Sequence, residues 1–147
     1  MPYHHLPLID EAGLASAKRE LGPALPRILG YYRQDGVSSI TAIEDAMHSR
    51  NATAMVLPAH SLKGESRQLG AGRLAELAQH LEMTARSCIE DRQNLPDALM
   101  EDVRGLRALF QDSVAHLERA VSEPAATAVR PRVPGGPQRP VFGRRAS

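Results

Sequence analysis

Apolar residues along this chain recur at steps of three and four, the spacing that lays them on one face of an α-helix. Ala52, Met55, Ala59, Leu62 and Leu69 keep that step, with Ser66 on the same line. A second stripe runs through Leu74, Leu77, Ala78, Leu81, Ala85 and Cys88, and a third through Leu99, Val103, Leu106, Phe110, Val114, Leu117 and Val121. From Leu25 onward, Ile28, Leu29, Tyr32, Ile40, Ile43 and Met47 form another, with Asp35 and Gly36 inside it, where a kink or local irregularity is expected. Ile9 to Glu20 reads as a shorter helix with Asp10 as its N-cap, behind an irregular lead-in over residues 1–8 that holds Pro2 and Pro7. No segment alternates with the period of a strand.

The breaks between these stripes are short. Gly22, Pro23 and Pro26 punctuate the first junction, Ser49 to Asn51 the second, Gly70 and Gly72 the third, and Asn94 to Pro96 the last. Long amphipathic helices joined this closely pack as antiparallel neighbours. The expected fold is all-α: an antiparallel up-and-down four-helix bundle over residues 9–122, with a short extra N-terminal helix. After Ser122 the pattern stops. Pro124, Pro131, Pro134, Pro137 and Pro140 exclude a helix, apolar residues are few, and residues 123–147 read as a disordered Pro/Arg-rich tail.

Composition narrows this picture. Aromatic residues make up only 3% of the 147, with no Trp, so the core is built from aliphatic and small residues, a palette that suits packed helices. The net charge of +1 hides an asymmetry: residues 1–122 hold 13 basic and 16 acidic side chains, whereas the last 25 hold five Arg and one Glu. The bundle is therefore not a nucleic-acid binder by charge, and the tail alone is drawn to anionic surfaces. Cys88 is the single cysteine, so no internal disulfide forms, and its place on a core stripe reads as a small buried hydrophobe. No apolar run reaches the length of a membrane span, and the N-terminus lacks the pattern of a signal peptide, so a cytoplasmic protein is expected. His4, His5, His48, His80 and His116 show no ligand spacing with Cys88 or a carboxylate pair, and no glycine-rich phosphate loop or nucleophile elbow occurs.

The stretch "AHSLKGESRQLGAGRLAELAQHLE", residues 59–82, carries the candidate chemistry. At about 100° per residue, His60 lies one position off the core line at the edge of the buried face, Lys63 falls about 60° to one side of it, Gly64 about 40° to the other, and Arg67 returns to nearly the same direction. An imidazole of ordinary basicity offers a free nucleophilic nitrogen near neutral pH. Lys63 and Arg67 supply positive charge for a phosphoryl group arriving there. Gly64 removes bulk one turn away, and since glycine inside a helix costs about 1 kcal/mol relative to Ala, access for a partner is a physical reason for it.

These residues resemble the signature of histidine-containing phosphotransfer (HPt) domains: His60, Leu62, Lys63 and Gly64, a small residue at Ser66, the Leu69-Gly70 pair and Leu81-Glu82. The resemblance extends over about residues 9 to 121. It implies a four-helix bundle in which His60 is the phosphoacceptor, Lys63 its electrostatic helper and Gly64 the access residue, with Arg67 and Glu82 as supporting residues and Glu82 placed to touch the imidazole. It implies a phosphorelay intermediate, a carrier without an ATP site rather than an enzyme, that exchanges a phosphoryl group with the aspartate of response-regulator receiver domains and with a sensor histidine kinase, simple or hybrid. Neither nucleic acid nor membrane is implied as a partner, and the chain itself binds no cofactor, Mg²⁺ being carried by the receiver. Leu14 and Ala15 are candidates for an apolar part of the docking face. The sequence departs from the pattern at Pro58, which should kink the helix two residues before His60, and at Arg67, where many relatives have a small residue. Two other readings remain: a phosphorylation-independent module that binds or sequesters a receiver or kinase, and a purely structural bundle.

Overall fold

The computed structural model describes residues 3–122, and the tail expected over 123–147 lies outside them. Five α-helices follow one another: α1 Glu11–Leu21, α2 Leu25–His48, α3 Ala52–Leu69, α4 Gly72–Glu90 and α5 Leu99–Ser122, with one turn of 3₁₀ helix, Gly22–Ala24, between α1 and α2. Helices α2 to α5 pack each against the next, and α2 also packs on α5, which closes the four into a bundle. No strand occurs among the described residues. The stripes read from the sequence face inward: Ile40, Ile43, Met47, Met55, Ala59, Leu62, Leu74, Leu81 and Leu106 are fully buried. Cys88 is buried with them as a free thiol.

The connections follow from local chemistry. Asn51 caps α3, its side-chain oxygen accepting from the Ala54 amide at 3.0 Å. Gly70 ends α3 in the left-handed region at φ 85°, and the Ala71 amide returns to the Ser66 carbonyl at 2.8 Å, the closure of a helix C-terminus. Gly72 is already the first residue of α4. The Gly70 turn also seats α1. The Asp10 amide donates to the Gly70 carbonyl at 2.7 Å, and a Cβ on Gly70 would stand 2.6 Å from the Leu14 nitrogen. A side chain at position 70 would push α1 off the bundle.

The structure adds to four expectations. Helix α2 runs unbroken through Asp35 and Gly36. Gly36 is buried, and a Cβ there would come within 2.3 Å of the Phe110 ring, so the glycine admits an aromatic ring from α5. Helix α3 likewise continues through Pro58 to Leu69. One missing backbone bond does not end a helix whose next turns are anchored by Ala59, Leu62 and Ser66, all without solvent exposure. Asp10 holds the N-cap position of α1, but its side chain accepts no cap bond; the first turn closes through its backbone carbonyl and the Leu14 amide at 2.9 Å. The lead-in is irregular yet packed. Tyr3 and Ile9 are buried, the Tyr3 hydroxyl donates to Asp102 of α5 at 2.6 Å, and Arg73 of α4 donates to the Leu6 carbonyl at 2.9 Å.

Candidate functional site

His60 stands midway along α3 with 56% of its side chain exposed. Its ring is not free to turn. Nδ1 lies 3.0 Å from Oε2 of Glu82, a residue of α4 that is only 3% exposed. The carboxylate reaches this position because α3 and α4 are antiparallel neighbours across the tight Gly70-Ala71 turn, so a residue ten positions before that turn meets one about as far beyond it. Glu82 occupies the core stripe of α4 between Ala78 and Ala85, where a charge must be compensated to be tolerated.

Three side chains compensate it. Lys63 Nζ forms an ion pair with Oε1 at 2.7 Å, Arg86 donates to Oε2 through Nε at 3.0 Å and pairs through Nη2 at 2.9 Å, and His60 shares the same Oε2. Burial by itself would push the Glu82 carboxyl up. The hydrogen bonds from Lys63, Arg86 and His60 and the Lys63 charge outweigh burial and hold it at about 2, against an ordinary 4.5. Glu82 is therefore an anion at any physiological pH and only accepts hydrogen bonds. When the ring is neutral, its one proton sits on Nδ1 facing that carboxylate, and the lone pair sits on Nε2. The site thus offers a half-exposed nucleophilic nitrogen, backed by a buried anion and flanked by two cations.

The other residues singled out by the sequence divide. Among the described residues a Cβ on Gly64 would meet nothing within 4 Å, so no contact among them requires glycine there. The same is true of Gly30 and Gly105, and what distinguishes Gly64 is its position one turn from His60. Arg67 is turned away from the imidazole: it pairs with Glu76 at 3.1 Å and bonds Gln79, which ties α3 to α4. Leu14 is 3% exposed and belongs to the core, so it offers nothing to a docking face; Ala15 is exposed. The large exposed apolar side chains on α3 and α4 are instead Leu57, at 71%, three residues before His60, Met83, at 58%, next to Glu82, and Ile89, nearer the end of α4. Arg86 went unread, although its spacing of four from Glu82 is the helical ion-pair signal that could have found it. Behind the site, the Tyr32 hydroxyl meets the Ser66 hydroxyl at 2.8 Å inside the bundle, which satisfies the one polar residue on the α3 core line. Among the described residues no group of three or more His, Cys, Asp or Glu side chains could hold a metal ion, and no helix is long and apolar enough to cross a membrane.

The site is a half-exposed histidine on the flank of a four-helix bundle, its ring held by a buried carboxylate of the next helix. The family model for the Hpt domain matches residues 27–123, and the chain belongs to that family. Its members are phosphocarriers that act with kinases and receiver domains in two-component phosphorelays, and a histidine phosphotransfer role in such a relay follows for this chain. Among solved structures, the fold is similar to the crystal structure of histidine-containing phosphotransfer protein B (HptB) from Pseudomonas aeruginosa PAO1. The two share 23% identity at a TM-score of 0.66, over 78% of this chain and 95% of that one. A comparison with curated proteins gives no match.

Proposed function

We propose that His60 is the phosphoacceptor of this phosphorelay protein, and that it exchanges its phosphoryl group with the aspartate of a receiver domain. The observation that carries the reading is the 3.0 Å contact between Nδ1 of His60 and the buried Glu82 carboxylate. It directs Nε2 outward as the nucleophile. In transfer toward this chain, the Nε2 lone pair attacks phosphorus, the N–P bond forms, and the acyl-phosphate O–P bond breaks to return the aspartate as a carboxylate. The ring keeps its Nδ1 proton and becomes cationic as the bond forms, and Glu82 stabilises that charge as a triad carboxylate stabilises an imidazolium. The reverse steps return the phosphoryl group.

Phosphoryl transfer passes through a loose transition state that needs alignment and charge neutralisation more than covalent assistance. Lys63, paired with Oε1 of the carboxylate that holds the imidazole, contributes charge to the site. The receiver brings the Mg²⁺. Gly64 leaves the approach clear, and exposed Leu57, three residues before His60, supplies apolar contact for the incoming domain. A sensor histidine kinase feeds the relay, and the cytoplasm is where such partners meet.

The test is phosphorylation of wild type and His60→Gln by a phosphorylated receiver with Mg²⁺. Wild type takes up a label that is lost in acid and kept in base, the behaviour of an N–P bond, and His60→Gln takes up none. Undiminished label in the variant refutes the assignment. A variant that binds the receiver normally while the relay output is also normal favours a phosphorylation-independent binding module.

A further inference from the structure

Glu82 can orient the imidazole only if something orients Glu82. Its side chain has three rotatable bonds, and its carboxylate could exchange oxygens or swing away from the ring. Lys63 meets Oε1 alone, as a point charge on a flexible stem. The oxygen that faces His60 is Oε2, and the other side chain on that oxygen is Arg86, with Nε at 3.0 Å and Nη2 at 2.9 Å. Arg86 stands one turn after Glu82 on α4, the i to i+4 order in which an acid followed by a base is favoured on a helix. Two nitrogens of a rigid, planar guanidinium on one oxygen fix where that oxygen sits, and a lysine cannot do this. The Arg86 side chain is 54% exposed, so its outer edge remains in water while its inner edge holds the buried anion.

The charge argument points the same way. An uncompensated carboxylate beside His60 would favour the protonated ring, which has no lone pair to attack with. Lys63 and Arg86 together leave the cluster with one excess positive charge while the ring is neutral.

We infer that Arg86 is a positioning residue for phosphotransfer: by clamping Oε2 of Glu82 it holds the His60 proton on Nδ1 and keeps Nε2 as the attacking nitrogen. This rests on His60 being the phosphoacceptor. Arg86 does not touch the reacting atoms, and it acts through Glu82.

The experiment uses the full chain with Arg86→Gln, which keeps much of the side chain's length but loses the charge and the fork, and Arg86→Lys, which keeps the charge alone. Long-range ¹H–¹⁵N spectra at about pH 8, where an ordinary imidazole is neutral, report the tautomer of His60 directly. Wild type shows the proton on Nδ1, Arg86→Gln a mixture of both tautomers, and Arg86→Lys an intermediate. Phosphorylation of His60 by phosphoramidate, whose P–N bond breaks with release of ammonia as the Nε2–P bond forms, slows about three- to tenfold in Arg86→Gln and less in Arg86→Lys, the scale of one charge-assisted contact rather than of the nucleophile itself. An Arg86→Gln protein with the wild-type tautomer overturns the inference, whatever its melting temperature, because a merely structural arginine would move stability and leave the tautomer alone. The two readings fail separately: label on His60→Gln removes the phosphoacceptor assignment, whereas the tautomer spectra need no phosphate at all.

Discussion

Glu82 is the residue on which the site turns, because it is buried and charged at once. Its carboxyl is held at about 2 in the folded chain, against an ordinary 4.5. A depressed value of this kind adds stability that is present above pH 4.5 and lost as pH falls from there toward 2. Acid unfolding of wild type should therefore steepen across that window, and Glu82→Gln should flatten the profile there while lowering stability at neutral pH. Identical acid profiles would mean that other carboxylates govern acid unfolding. Gly64 is the second residue with a sharp expectation. A Cβ there meets nothing within 4 Å among the described residues, and replacing a helix-interior glycine gains up to about 1 kcal/mol of helix propensity. Gly64→Gln should melt at or above the wild-type temperature and accept phosphate from a receiver more slowly. Unchanged transfer would remove its access role. His60, Lys63 and Gly64 were legible as a group because spacing along one helix of known period determines direction, whereas Glu82, on the next helix, entered only through the family resemblance. Arg67 was legible as a cation on the same strip but not in its partners, since Glu76 and Gln79 belong to the next helix.

At the scale of elements, α2 and α5 show how a helix can carry a residue that looks wrong for it. Gly36 leaves the room that Phe110 fills, and the Phe110 ring stacks edge-on against Tyr32 with centroids 5.4 Å apart. Gly36→Ala gains up to about 1 kcal/mol in helix propensity. Its methyl, however, would overlap a ring that is 3% exposed and packed edge-on against Tyr32. Overpacking of this kind costs about 1–3 kcal/mol, so the variant should be less stable than wild type by about 1–2 kcal/mol in denaturant unfolding. A stabilised variant would show that the ring moves freely. No irregularity interrupts α2 at Asp35-Gly36, for a physical reason: a glycine within a periodic stripe reads the same whether it interrupts its helix or accommodates a neighbour. Helix α3 is likewise continuous through Pro58, with Ala59 and Leu62 of the following turn fully buried.

At the scale of the whole molecule, the lead-in is the part whose role changed most. Tyr3 reaches 99 positions along the chain to bond Asp102, which also faces His80 at 3.4 Å. Burial, then the hydrogen bond and charge of Asp102, push the Tyr3 phenol well above its ordinary range, so it stays protonated and donates. Tyr3→Phe leaves the buried Asp102 carboxylate short of a partner and should lower stability by about 1–3 kcal/mol. Because this contact lies on the α4–α5 side of the bundle, His60 should still accept phosphate at the wild-type rate. A combined loss of stability and transfer would show that the lead-in supports the α3–α4 face as well.

The sequence by itself determined which residues face inward, how many helices there are, where most of them turn, and which histidine shares a strip with a lysine and a glycine. All of these follow from local periodicity and turn chemistry, which act over a few residues and need no knowledge of what lies opposite. Only the tertiary structure decided that Glu82 meets Nδ1 of His60, that Arg86 completes its compensation, that Gly36 makes room for a ring, and that Tyr3 closes onto Asp102. Each of these except the helical Glu82–Arg86 pair joins residues at least 22 positions apart, and each depends on the depth and rotation at which two helices or a strap meet. Core side chains set those quantities collectively, through close packing across the bundle. No single stripe contains them.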